Sequence, residues 1–336
     1  MDFFIRSIAG VSPFSHPAES PYPHALVCAD PDLGTIVDPK LTRRMSHVIK
    51  MGLGAAMEAL KESGLQQPDA VITGTAYGCL DDTGVFLKKQ VQQNETMLTP
   101  TAFIQSTHNT VGGQVGLLLK CHGYNNTFVH RGFSFEHALQ DAMMLIEEGS
   151  ATNVLVGAVD ELTPYSYAIL DRFHLFKNDH DGITSNEGCI GGEGAAFFVV
   201  SNNPKADNYA VIKNVSTLFK PSAESVRNCI RTILNEHSLT ATDIDIIVTG
   251  KNGDAEQDLF YDEVLHPLFN ETPAATFKNE TGEFPTAAAL GLYKAAAILK
   301  HKQHGNMVAG EKPLKYALLY NHYQNIHHSI YLLEAC

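Results

Sequence analysis

The sequence has no apolar run of about 18 residues, so we expect no helix that spans a membrane. Basic residues are scarce: 24 Lys and Arg stand against 37 Asp and Glu, for a net charge of −13. This balance argues against nucleic acid and anionic membranes as partners. The N-terminal residues lack a basic segment followed by a long apolar one, so we expect no signal peptide.

Paired cysteines are also missing. The six cysteines are scattered singly and form no CxxC pair, which gives neither a zinc signature nor a disulfide framework. We therefore expect reduced thiols in a cytoplasmic protein, with no metal and no cofactor.

The 336 residues are 44% hydrophobic, which is enough to bury a substantial core in one or two domains. Apolar pentads and helical periodicities alternate along the chain. The pattern predicts strands at 3–9, 69–73, 126–130, 153–159, 195–200, 211–218, 244–248, 316–320 and 329–333. It predicts helices at 45–60, 81–92, 111–121, 133–148, 223–237, 259–269 and 285–301.

The two parts of the chain repeat one another. Residues 69–74 read DAVITG and residues 245–250 read DIIVTG, each after a helix and a short turn. The repeated order of strands and helices predicts two fused α/β halves, 1–205 and 206–336, each with a mainly parallel sheet covered by helices.

Residues 186–198, NEGCIGGEGAAFF, closely resemble the glycine-rich signature of β-ketoacyl synthases. Further segments resemble that family in the same order along nearly the whole chain: 9–13, 149–151, 154–158 and 278–283. The resemblance implies the α/β thiolase fold, in which two duplicated halves form a five-layered αβαβα architecture.

The resemblance also places the family's Cys-His-His catalytic set on Gly132, Gly250 and Glu283, and retains Lys278. Glycine offers no acceptor for covalent acyl transfer. A carboxylate at the second histidine position would repel a developing oxyanion rather than stabilise it. We therefore expect no condensation by the family's usual route.

Two basic residues, His130 and Arg131, adjoin the lost nucleophile position. One hypothesis is that either one pairs with Glu283 and plugs the former site; the alternative is that both face solvent or an interface. The family's glycine-rich gate near the C-terminus is replaced by residues 321–328, NHYQNIHH. We expect a closed or rebuilt gate, because bulky polar residues do not take the positive φ of glycine, and a solvated histidine-rich loop rather than a metal site.

The region from residue 101 onward resembles the family's strand and loop at the dimer axis, which reaches into the neighbouring subunit's acyl tunnel. This assigns an interface or tunnel role to Phe103, Gln105, Thr107 and His108.

The leading hypothesis is therefore a chain-length-factor-like subunit. It would form a heterodimer with an active ketosynthase, shape its acyl tunnel and meet the acyl carrier protein only indirectly. The short length resembles the members of aryl polyene or flexirubin-type pigment pathways. The alternatives are an acyl- or lipid-binding homodimer, and an enzyme with substituted chemistry that uses His130, Lys278 or Glu283.

Overall fold

The computed structural model describes residues 1–34, 36–96, 100–180, 183–301, 303–304, 307–308 and 313–336. Up to residue 201 the elements are β1 (Phe3–Val11), α1 (Pro39–Thr42), α2 (His47–Ser63), β2 (Ala70–Gly74), α3 (Leu80–Gln92), α4 (Pro100–Gln105), α5 (Thr110–Leu119), β3 (Tyr124–Phe128), α6 (Ser134–Glu147), β4 (Asn153–Asp160), α7 (Pro164–Arg172), β5 (Asp179–His180), β6 (Ile183–Thr184) and β7 (Gly194–Ser201).

The elements that follow are β8 (Ala210–Phe219), α8 (Ala223–Glu236), β9 (Ile246–Thr249), α9 (Ala255–Leu265), β10 (Ala274–Thr276), α10 (Lys278–Thr281), α11 (Ala288–His301), β11 (Gln303–His304), β12 (Met307–Val308), β13 (Tyr316–Tyr323) and β14 (His327–Ala335). Within the described residues no helix is both long and apolar enough to cross a membrane.

Ten strands form one sheet in the order β10-β9-β13-β14-β8-β1-β7-β4-β2-β3. Each half of this order has the same pattern. Three neighbouring strands run parallel, and the two strands nearest the middle of the sheet continue it in antiparallel pairing. The halves meet where Phe3 of β1 pairs with Ile212 of β8. The repeated pattern matches the duplication expected from the sequence.

Alternate residues of each strand point to opposite faces. Both faces are buried on β2, β4, β7 and β13. On β2, Ile72 faces a core shared with α6 and α11, whereas Val71 faces α2 and α5. On β13, Leu319 faces the same central core and Leu318 faces α8 and α9. The two halves of the sheet therefore lie on either side of a central layer of α6 and α11, with α2 and α5 outside one half and α8 and α9 outside the other. This confirms the five-layered α/β fold of the thiolase type.

The helix ends follow from local sequence. Gly64, with φ of 69°, ends α2, and Gly149, with φ of 74°, follows α6, because the left-handed conformation is inexpensive for glycine. Helix α9 begins four residues before the predicted start, because the Asp254 side chain accepts a hydrogen bond from Gln257 N at 2.9 Å and caps it.

Candidate active site

Gly132 lies in a single 3-10 turn, Arg131–Phe133, between β3 and α6. Ser134 closes this turn: its hydroxyl accepts a hydrogen bond from His130 N and donates one to Arg131 O, both at 2.8 Å. Gly132 is buried, and a Cβ built on it would lie 2.8 Å from the Cβ atoms of both Tyr323 and His327. Carbon atoms in contact prefer 3.5–4.0 Å, so the turn has no room for a side chain at the position assigned to the nucleophile.

Gly250 follows β9 and is also enclosed. A Cβ there would lie 2.2 Å from Asn321 Oδ1 and 2.6 Å from the Tyr261 hydroxyl. Asn321 and Tyr261 are buried, at 2% and 0% exposure. At the position assigned to the first family histidine, the space for a side chain is therefore taken by the Asn321 amide of β13 and the Tyr261 phenol of α9.

Glu283 forms a buried ion pair with Lys278. The ammonium lies 2.8 Å from Oε2 and 3.0 Å from Oε1, and it also donates to His322 O at 2.7 Å. Asn252 Nδ2 donates to the same carboxylate at 2.6 Å. Burial raises the pKa of Glu283, and the charge and hydrogen bond of Lys278 oppose that rise.

This pairing differs from the one expected from the sequence, in which His130 or Arg131 meets Glu283. Both of those residues are exposed, and His130 Nδ1 lies 3.1 Å from His137 Nδ1 on α6. Lys278 is the first residue of α10, and Glu283 follows the end of this short helix. The two residues are only five positions apart, so the ammonium reaches the carboxylate locally.

The glycine-rich motif brings its backbone against this pair. Gly192 N donates to Glu283 O at 3.1 Å, and Glu283 N donates to Ile190 O at 2.8 Å. A Cβ at Gly192 would lie 2.1 Å from Thr281 O, so only glycine permits this approach. The glycines hold the segment that carries Glu283 in place.

Glu193 of the motif is a buried structural acceptor. It accepts hydrogen bonds from Cys28 N at 2.7 Å, Leu162 N at 2.9 Å and His47 Nε2 at 2.9 Å. Burial alone would lower the pKa of His47, but Glu193 and Asp30 raise it to about 9.

The C-terminal histidines are buried on strands, which corrects the expectation of a solvated loop. His322 stacks on Tyr261 with ring centroids 4.3 Å apart, and His328 Nδ1 lies 2.9 Å from the Tyr320 hydroxyl. Burial lowers the pKa of His328 to about 4. In the part of the chain that the structure describes, no three His, Cys, Asp or Glu side chains are placed to hold a metal ion.

The gate segment is a tight hairpin between β13 and β14. Gln324 and Asn325 adopt φ of 54° and 50°, so the expectation that bulky polar residues avoid positive φ was wrong here. Three side chains project from one face of this hairpin toward Gly132 and Gly250: those of Asn321, Tyr323 and His327. Sequence reasoning missed them, although the two-residue spacing of Asn321 and Tyr323 is that of one strand face.

A narrow cavity of about 20 Å³, roughly the space of one water molecule, remains beside the ion pair. Tyr77 and Tyr323 border it, with their hydroxyls 3.3 Å apart. Cys189 also borders it, and burial raises the pKa of this thiol, which disfavours the thiolate.

The residues assigned to an interface lie on the surface of the first half. Phe103 is 58% exposed on α4, with its ring 5.2 Å from that of Phe86, whereas Thr107 and His108 follow in an exposed turn. Gln105 ends α4. This region is therefore a short helix and a turn rather than the expected strand, because Pro100 at the first helical position favours a helix. Its interface role stays a prediction.

Comparison with known proteins gives consistent findings. The family described as β-ketoacyl synthase, N-terminal domain, matches residues 17–240. The chain is 26% identical over 333 residues to a protein described as actinorhodin polyketide β-ketoacyl synthase 1 of Streptomyces coelicolor, covering 85% of this chain and 69% of that protein.

Two solved structures share the fold over the whole chain. The ishigamide ketosynthase/chain length factor gives a TM-score of 0.80 at 15% identity, covering 100% of this chain and 99% of that one. A type II polyketide synthase acyl-carrier protein in complex with its hexaketide-bound ketosynthase gives 0.76 at 15% identity, with the same coverage.

Proposed function

The chain belongs to the β-ketoacyl synthase family, and from this premise we propose that it is a non-catalytic subunit. It pairs with an active ketosynthase and shapes that partner's acyl tunnel, as a chain length factor does. We place it in type II polyketide or fatty acid synthesis of the aryl polyene kind, in the cytoplasm.

The observation that carries this proposal is that the chain's own side chains occupy the space at two of the assigned catalytic positions and neutralise the residue at the third. Tyr323 and His327 cover Gly132, Asn321 covers Gly250, and Lys278 neutralises Glu283. A thioester would find neither a nucleophile nor space beside one. A residual acyltransferase that uses Lys278 or Glu283 is disfavoured, because each is the other's buried partner.

Association with a partner is supported by the end of the sheet. β3 is the last strand at one end of the ten-stranded order, so one edge of its backbone lacks a neighbouring strand among the described residues. Large apolar side chains are exposed on β3 itself and on α5 and α6, which contact it: Tyr124, Leu117 and Met144. Exposed apolar surface of this kind marks protein interfaces.

The similar proteins support a ketosynthase as the partner. One is described as a ketosynthase/chain length factor, and another as a carrier protein bound to its ketosynthase. The net charge of −13 makes this chain a poor sole docking surface for an acidic carrier protein. We therefore assign carrier docking mainly to the partner subunit.

Co-expression with a candidate partner ketosynthase from the same genome tests the proposal. We expect a one-to-one complex on sedimentation, weakened at least tenfold by Leu117→Lys combined with Tyr124→Lys, since these place two charges in the apolar face. Leu259→Lys is the control, because Leu259 lies on α9 in the other half of the chain and its exposure of 57% falls between those of Leu117 and Tyr124; it should leave the complex intact.

A chain that stays monomeric beside its ketosynthase would contradict the proposal. A stable homodimer that retains an acyl or lipid ligand on native mass spectrometry would replace it with the binding-protein alternative.

A further inference from the structure

A buried acid lies one helical turn beyond the filled nucleophile position. Glu136 of α6 has 0% exposure, and neither of its carboxyl oxygens has a hydrogen-bond partner among the described residues. The hydroxyls of Ser329 and Tyr331 on β14 face this carboxyl and lower its pKa, but neither reaches it with the distance and angle of a hydrogen bond. Unpaired polar groups in an apolar layer are costly, and an unpaired charge is far more so.

In the part of the chain that the structure describes, no cation is free to neutralise Glu136. The titratable groups that act on it are Tyr331 from β14 and Lys278 from α10. The three protons of Lys278 are already donated to Glu283 Oε1, Glu283 Oε2 and His322 O. The core into which α6 packs is otherwise apolar, with Ile72 of β2, Val156 of β4 and Phe198 of β7 among its members. Burial accordingly raises the pKa of Glu136 to about 7.

The position of Glu136 ties it to the hairpin. One face of β14 carries His327, Ser329 and Tyr331, because side chains two residues apart on a strand point the same way. This face packs on α6. His327 covers Gly132, and the next two residues on the same face meet Glu136. The same face of β14 therefore covers Gly132 through His327 and contacts Glu136 through Ser329 and Tyr331.

We propose that Glu136 is a proton-linked contact that holds the β13–β14 hairpin on α6 while its carboxyl is protonated, and that its ionisation loosens the hairpin from the filled site. This goes beyond the scaffold role and holds with or without a bound partner. As the hairpin opens, the carboxyl reaches water, regains its ordinary pKa and releases its proton to solvent.

The direction of the pH effect follows from linkage. A carboxyl with a raised pKa in the closed form favours closure at low pH, and this preference is lost as pH rises through about 7. With an open-state pKa near 4.5, the opening constant should rise about tenfold between pH 6 and 8.5.

Hydrogen exchange of residues 319–331, corrected for the intrinsic pH dependence, measures this opening. We expect the wild-type chain to exchange about tenfold faster at pH 8.5 than at pH 6, and Glu136→Gln to remove that difference. Glu147→Gln makes the same change at an exposed end of α6 and should behave as wild type.

Glu136→Leu provides a second variant without an ionisable group, in case the glutamine amide perturbs folding. Corrected exchange that is independent of pH in the wild type would overturn the proposal, as would the same pH dependence in a folded Glu136 variant. The isolated chain and its complex are both measured, so failure to bind a partner leaves this result readable.

Discussion

At the scale of residues, the site is filled rather than vacant. Gly132 and Gly250 are small because Tyr323, His327 and Asn321 occupy the space where their side chains would stand. The sequence assigned Gly132, Gly250 and Glu283 to the catalytic positions by their place in a pattern, and this assignment stays a prediction. It could not identify the residues that fill the space, because those contacts join positions about 70 to 200 residues apart.

The missed pairing of Glu283 has a similar cause. Lys278 was recognised as retained, yet its ion pair depends on how the connection after α10 folds back over the glycine motif. The sequence pointed instead to His130 and Arg131 as partners of Glu283, because they adjoin Gly132. Both lie exposed on the outside of the turn.

Substitution of Gly132 tests directly whether Tyr323 and His327 leave no space for a side chain there. We expect Gly132→Ala and Gly132→Cys to destabilise the chain by about 1–3 kcal/mol, the usual cost of overpacking, and Gly132→Cys to regain no acyl transfer. Chemical denaturation measures the first effect. Gly113→Ala is the matched control, since nothing lies within 4 Å of a Cβ there, and it should be stabilising by about 0.5–1 kcal/mol.

At the scale of elements, most helices and strands were predictable because their periodicities are clear and glycines end them. The failures occur where tertiary contacts override local signals. The polar segment at residues 321–328 reads as a loop, yet pairing of β13 with β14 buries it. The segment from residue 101 forms α4 rather than a strand.

We expect the stability of the chain to depend on pH through His47, at the start of α2. His47 there bonds Glu193 and Asp30, and its pKa of about 9 exceeds the ordinary value of 6.5. Its contribution is therefore full below pH 6.5 and is lost as pH rises through 9. Allowing for partial exposure of the ring, we expect a loss of about 2 kcal/mol.

His47→Gln should flatten the stability curve between pH 6.5 and 9, measured by denaturant unfolding at each pH. The exposed His266→Gln on the end of α9 should retain the wild-type slope. An unchanged slope in His47→Gln would show that the His47 contacts contribute nothing to the pH dependence.

Across the whole molecule, the similarity of residues 69–74 to residues 245–250 indicated that the chain consists of two duplicated halves. In the structure β2 and β9 are equivalent strands of the two halves, each second from its end of the sheet. The joining of the halves through β1 and β8 carried no sequence signal, because it rests on three paired residues. The division of the chain between residues 205 and 206 stays a prediction.

For the whole molecule we propose that this chain supports a catalytic partner and does not itself form an acyl-enzyme. The most direct measurement is the intact mass of each subunit after the complex has been incubated with an acyl thioester of the carrier protein. We expect the acyl mass on the partner ketosynthase and none on this chain. A stoichiometric acyl adduct on any residue of this chain would contradict the claim.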